Sequence, residues 1–168
     1  MTNYTKRLSH LKMTKTNQNK LKESKVYNLN KITLNKNIKT FLSIERDYAE
    51  PWNKENFLMD MPYKWQFSKY ITFENNIAGF IIGSLNNKTV SLHRFMVDKN
   101  YRRLGLGLKI YQEFEENCKE KKGVEKIVLK VLAENKSAIS FYNSLGYGIK
   151  EEFEYLRIKR YLMEKHIS

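Results

Sequence analysis

The chain has 168 residues, of which 41% are hydrophobic and 29% charged, with only two prolines; this is the profile of one folded domain and excludes a disordered chain. Its longest apolar run, IAGFIIGSL, is far short of the ~18–20 residues that span a bilayer. The start MTNYTKRLSHLKMTK carries no apolar leader, and the lone Cys118 allows no internal disulfide; together they point to a cytoplasmic protein away from membranes.

A net charge of +13 calls for an anionic partner, such as nucleic acid or a phosphorylated ligand, or else reflects a general Lys- and Asn-rich composition. Residues 1–24 carry most of their charge as Lys and Arg without a sustained period, and read as a basic, flexible arm ahead of one domain over 25–168.

Within the domain, KVYNLNKI reads as a first strand. Asn35 is placed to cap a helix through Ile38, Phe41, Leu42 and Ile44, and Pro51 to open a second helix through Trp52, Phe57 and Leu58. KYITFENNIAGFIIGSL reads as a hairpin turning at Glu74–Asn76, and TVSLHRFMV as a third antiparallel strand. Helical spacing of Leu104, Leu108, Tyr111, Phe114 and Cys118 predicts a helix from Gly105 to Lys121, stopped by Gly123. KIVLKVL is a strand, Ala138, Phe141 and Leu145 mark a short helix, and strands over Ile149–Phe153 and Leu156–Met163 finish the chain. The fold class is α/β: a single, mostly antiparallel mixed sheet of six to seven strands flanked by about four helices.

The joint NYRRLGLGLKIY carries the strongest chemistry. A helix N-terminus leaves backbone N–H groups unpaired and partly positive. Gly105 and Gly107 remove side chains there, and Arg102 and Arg103 add charge, as a phosphate cradle needs. No Walker GxxxxGK[ST] loop is present, and Ile110 stands where a dinucleotide fingerprint needs its third glycine. Two glycines easing a tight turn would give the same pattern.

RRLGLG, Arg102 to Gly107, resembles the [RQ]xxG-x-[GA] motif of the GNAT superfamily of acyl-CoA-dependent N-acyltransferases. LAENKSAISFYNSLGY resembles that family's second signature through Asn135, Ala138, Tyr142, Gly146 and Tyr147. The resemblance implies the GNAT fold and direct transfer of an acetyl group from acetyl-CoA to a primary amine, with no metal, by a monomer or homodimer. It implies that Phe95, Met96 and Val97 hold the CoA arm and supply an oxyanion donor, joined by Asn135 and Tyr142. It also implies that the loop Arg102, Arg103, Leu104, Gly105, Leu106, Gly107 and Leu108 holds the pyrophosphate. Tyr142 is the implied general acid toward the departing thiolate.

The base is open. SLHRFMV resembles the HLHxLxV strand of arylalkylamine acetyltransferases, which makes His93 a candidate, and strand alternation puts His93, Phe95 and Val97 on one face. Glu134, Glu45 and a water path are the others. AEPWNKENF loosely resembles the PW-containing helix of ribosomal-protein alanine acetyltransferases, but Lys130 stands in LKVLAEN where their LEVxxxN pattern has a glutamate. A small-molecule amine is the expected acceptor. A protein N-terminus or lysine is the alternative, and a basic nucleic-acid-binding protein on the same scaffold is disfavoured because no RNA-reading motif is visible. A cationic polyamine would need an acidic pocket around Glu45, Asp47 and Glu50.

Overall fold

The computed structural model describes residues 21–167. Five helices are numbered here: α1 Lys31–Lys36, α2 Ile38–Glu45, α3 Lys54–Leu58, α4 Leu106–Glu120 and α5 Lys136–Ser144. The seven strands are β1 Lys25–Asn28, β2 Lys69–Phe73, β3 Asn76–Asn86, β4 Thr89–Val97, β5 Lys126–Leu132, β6 Gly148–Tyr155 and β7 Ile158–His166. They form one sheet in the order β1-β2-β3-β4-β5-β7-β6. Every pairing is antiparallel except β4 with β5.

Two cores cover the sheet. Under α4 and α5 lie Ile81, Leu92, Leu106, Ile110, Phe114, Leu129 and Tyr142; on the other face, α1–α3 cover Phe41, Phe57, Phe80 and Ile82. Of the residues whose spacing predicts α4, Tyr111, Phe114 and Cys118 are buried, whereas Leu104 and Leu108 are half-buried and Leu106 and Ile110 take the inner positions of the first turns.

Local chemistry moves several expected boundaries. Asn30, not Asn35, caps the first helix by accepting from the Thr33 N–H. Asn37 then divides that helix into α1 and α2. The next helix begins at Lys54 rather than Pro51, because Asn53 and Asn56 form a reciprocal capping box. Leu156 and Arg157 form the β6–β7 turn, both with left-handed φ (51° and 61°), so Leu156 lies outside the strand expected to contain it.

The basic arm expected over residues 1–24 lies outside the described residues up to residue 20. Its last residues are packed: Leu21 belongs to the α4 core, and the Lys109 ammonium donates to the carbonyls of Leu21 (3.1 Å) and Ser24 (2.5 Å). The folded part therefore starts no later than Leu21. Among the described residues no helix is long and apolar enough to cross a membrane.

Candidate active site

β4 and β5 share a parallel ladder only over Thr89–Leu92 and Lys126–Leu129. Beyond it, β4 runs on to Val97 and β5 to Leu132 with no ladder between them. Among the described residues, Phe95, Met96 and Val97 therefore have a β3 neighbour on one side and no strand on the other. Backbone groups on that open edge need a partner.

The end of β4 leads directly to α4. Arg102 Nε donates to the Val97 carbonyl at 3.0 Å, which fastens the connecting turn to the strand. Arg103 is left-handed (φ 63°), and Gly105, the N-cap, is left-handed too (φ 83°). Gly105 is what that turn demands. Helix α4 has no side-chain cap and no acidic residue in its first turn. The N–H groups of Leu106, Gly107 and Leu108 thus begin a helix with no side-chain cap among the described residues to neutralise them. Both Arg102 and Arg103 are exposed and carry no carboxylate partner among the described residues. This donor set fits a pyrophosphate, and the unpaired edge of β4 fits an extended amide-bearing arm.

A Cβ on Gly107 would meet the Phe95 and Val97 side chains at 3.6 Å, an ordinary van der Waals distance, so packing against β4 does not by itself require a glycine there. Leu104 packs against the α4 core beside Leu108.

Across the gap, Asn135 caps α5 by accepting from the Ala138 N–H at 3.0 Å. That contact uses the side-chain oxygen and leaves the NH2 without a partner among the described residues. Tyr142 is buried against Phe141 and Tyr147, with ring centroids 5.6 and 5.5 Å away. Its hydroxyl makes no hydrogen bond among the described residues. Burial raises its pKa well above the ordinary phenol value; Tyr48 adds to the rise and Arg94 opposes it. It is a protonated donor without an acceptor.

His93 is not on the face expected for it. The β3–β4 register shifts at Ile82/Gly83, so Ile82 pairs with Arg94, Gly83 with Leu92, and His93 is the extra residue of a bulge. Phe95 and Val97 pack in the α4 core. His93 Nε2 instead shares a 2.7 Å hydrogen bond with Ser84 Oγ. Ser84 alternates with Phe80 and Ile82, so His93 lies on the α1–α3 side. The residue is solvent-exposed overall, yet desolvation by its neighbours, then Lys64 and Lys130, lower its pKa below the usual imidazole value, which favours the neutral ring at physiological pH.

The same side carries an arrangement absent from the sequence reading. Glu45 is fully buried, and its carboxylate accepts from Arg94 Nε at 2.9 and 3.0 Å, from Arg94 Nη2, and from the Trp52 N–H at 3.0 Å. With both oxygens taken, Glu45 is removed from the list of bases. The Arg94 guanidinium lies 4.1 Å from the Tyr48 ring centroid and also donates to the Glu50 carbonyl at 2.5 Å. Arg160 of β7 donates to Glu50 Oε1 at 2.5 Å. Asp47 pairs with Lys99. The acidic pocket that a polyamine would need is therefore neutralised carboxylate by carboxylate. No sequence signal announces these pairs, since their partners are 49, 110 and 52 positions apart.

A cleft of about 440 Å³ opens between these elements. Its walls are formed by Ala49 and Glu50 of the loop after α2, by Leu132, Ala133 and Glu134 at the end of β5, and by Arg157 of the β6–β7 turn with Ile158 and Lys159 of β7. Glu134 is exposed and lines this cleft. Lys130, at the β5 position where the resemblance expects a glutamate, is exposed, with its Nζ 5.4 Å from the Phe153 ring centroid.

The family model described as "Acetyltransferase (GNAT) family" matches residues 38–147. The [ribosomal protein bS18]-alanine N-acetyltransferase of Escherichia coli K12 is 31% identical over 108 residues, covering 62% of this chain and 69% of that one. The crystal structure of the ribosomal-protein-S18-alanine N-acetyltransferase from Escherichia coli superposes with a TM-score of 0.75 at 24% identity, over 86% of this chain and 94% of that one. The PaiA N-acetyltransferase of Thermoplasma acidophilum, in complex with coenzyme A, superposes with a TM-score of 0.67 at 18% identity, over 86% and 99%. The match over residues 38–147, together with the open β4 edge and the uncapped glycine turn, shows that the chain belongs to the GNAT family of acetyltransferases.

Proposed function

We propose that this acetyltransferase acetylates the α-amino group at a polypeptide N-terminus, with acetyl-CoA as donor. The observation that carries the reading is the charge balance of the acceptor cleft: Glu50, the carboxylate on its loop wall, is already paired with Arg160. Glu134 is the cleft's other carboxylate, and the lining sets Arg157 and Lys159 against it, so the cleft favours amines that are readily neutral over a fixed ammonium. At pH 7 an α-amine is neutral roughly 300-fold more often than a lysine side chain, from pKa values near ~7.9 and ~10.4. The 31% identity to an enzyme whose name specifies a protein alanine N-terminus supports a polypeptide as the carrier of that amine.

Acetyl-CoA supplies the acetyl group as an activated thioester. The N–H groups at the start of α4, with Arg102 and Arg103, hold its pyrophosphate, and Leu104–Leu108 form the turn around it. The edge of β4 from Phe95 to Val97 and the Asn135 amide hold the arm. Tyr142 keeps a proton at its hydroxyl for the departing thiolate. His93, neutral and with no partner for Nδ1 among the described residues, takes the proton of the amine through water. A small α-amine is the second reading, favoured by Lys130 standing where the resemblance expects the glutamate of the ribosomal-protein enzymes.

The test is thiol release from acetyl-CoA over a panel: peptides with free α-amines, the same peptides Nα-blocked but bearing lysine, a polyamine, and small α-amines. Free-α-amine peptides are expected to exceed the blocked lysine peptides at least 100-fold in kcat/KM. Equal release from the blocked peptides would overturn the reading; faster release with small α-amines would select the second.

A further inference from the structure

We propose that the chain Glu45–Arg94–Glu50–Arg160 is a strap that positions the acceptor cleft, and that Arg94 is its anchoring residue. The inference rests on the reading that this cleft receives the amine.

Residues 46–53 join α2 to α3 with no strand or helix of their own. A loop of this kind has no ladder to fix it, yet it supplies the Ala49–Glu50 wall. Arg94 holds it at three points. The guanidinium lies against Tyr48 at 4.1 Å, donates to the Glu50 carbonyl at 2.5 Å, and is paired with Glu45, whose Oε2 also accepts from the Trp52 N–H. Each end of the loop and its middle thus refer to one side chain. That side chain is adjacent to Phe95, so the loop is indexed directly to the strand that faces the donor.

The strap then crosses the cleft. Glu50 Oε1 accepts from Arg160 Nη2, while Arg160 Nη1 donates to the carbonyls of Tyr155 (2.7 Å) and Ile158 (3.2 Å) on either side of the β6–β7 turn. The turn is left-handed at both Leu156 and Arg157, a conformation non-glycine residues adopt at a cost. Arg160 supplies the contacts that hold it there. One ion pair therefore links the α2–α3 loop to the β6–β7 hairpin, two of the segments that line the cleft.

A planar fork is needed for this role. Only a guanidinium can meet a carboxylate through two nitrogens, reach a carbonyl and stack on a phenol together; a lysine keeps the charge and loses the geometry. Arg94 and Glu50 act here as positioning residues, not as groups that touch the reacting atoms.

The experiment measures acceptor KM, kcat and the acetyl-CoA dissociation constant, the last by calorimetry, for Arg94→Lys, Glu50→Gln and the paired replacement Glu45→Met/Arg94→Met. The paired replacement avoids leaving buried Glu45 without its counter-ion and retains volume. Expected results are a rise in acceptor KM of at least tenfold for the paired variant, about fivefold for Arg94→Lys and about threefold for Glu50→Gln. In each, kcat at saturating acceptor stays within threefold and acetyl-CoA affinity within twofold. Adding Glu50→Gln to the paired variant raises KM no further, because both act through one strap. Unchanged KM in the paired variant overturns the proposal. So does a fall in acetyl-CoA affinity matching the KM change, which would mark general damage to the fold. If the wild type prefers small amines to peptides, the peptide reading fails, yet the same KM split measured with those amines still decides on the strap.

Discussion

Tyr142→Phe separates chemistry from stability more cleanly than any other single change here. Tyr142 is 8% exposed, its hydroxyl makes no hydrogen bond among the described residues, and its ring packs on Phe141 and Tyr147. Phenylalanine keeps the ring and strands no partner. The stability change is therefore expected within about 0.5 kcal/mol of zero, since the cost of losing a hydroxyl comes mainly from an abandoned partner. The rate is another matter. A positioned general acid contributes ~10²–10⁴-fold, so kcat should fall by at least about 100-fold, or roughly 3 kcal/mol in the barrier. The raised pKa adds a second signature: the phenol stays protonated past pH 10, so the wild-type kcat should show no alkaline limb from Tyr142 below that pH. Stopped-flow thiol release, calorimetric acetyl-CoA binding and denaturant unfolding on the same preparation check all three. Equal kcat would remove the acid role. A large loss of stability with a matching loss of activity would return Tyr142 to the core.

Two further predictions concern the cations and the histidine of the α1–α3 face. Lys64 is 1% exposed, and its Nζ donates to the carbonyls of Phe57 (2.5 Å) and Met59 (2.7 Å), two bonds a neutral amine can still make. Burial, only partly opposed by Asp60, lowers its pKa to about 8. Between pH 8 and the ordinary lysine value the unfolded chain binds the proton and the folded chain does not, so stability rises with pH through that window. The gain is at most roughly 3 kcal/mol. Lys64→Met should flatten the slope between pH 8 and 9.5 in chemical denaturation, and an unchanged slope would sink the assignment. His93→Ala should lower kcat/KM at least tenfold at pH 7.5, with partial recovery in added imidazole. An unaltered rate would leave His93 the partner of Ser84 and no more.

Much of this molecule was legible in its residues because the relevant forces are local. The period of α4, the Glu74–Asn75 turn and the glycines flanking Leu106 depend on neighbours within a few positions. The donor side of the site is built from such segments. The acceptor side depends on pairs distant in sequence: Arg94 with Glu45, Glu50 with Arg160. Nothing in IERDYAEPW distinguishes a buried paired glutamate from a free one, so Glu45 and Glu50 read as acids when they act as anchors. Cap competition explains the helix errors. Asn30, Asn35, Asn37 and Asn53 are all good N-caps, and the Asn53–Asn56 box wins over Pro51 only because both its bonds form at once.

The bulge at His93 ties the two sides together. In a strand with strict alternation, Leu92 and Phe95 would face opposite ways. Both lie in the α4 core, which one extra residue between them makes possible. The same insertion changes the other face: His93 reaches Ser84 and Arg94 reaches Glu45, two successive side chains away from α4. β4 thereby fills the core beneath the donor helix, leaves its backbone edge open from Phe95 to Val97, and fixes the acceptor loop through Arg94. The sequence LHRFMV fits an unbroken strand equally well, because a bulge is decided by the register of β3 opposite it. The residue that hides the site's geometry from sequence reading is also the one that lets a single strand serve donor and acceptor together.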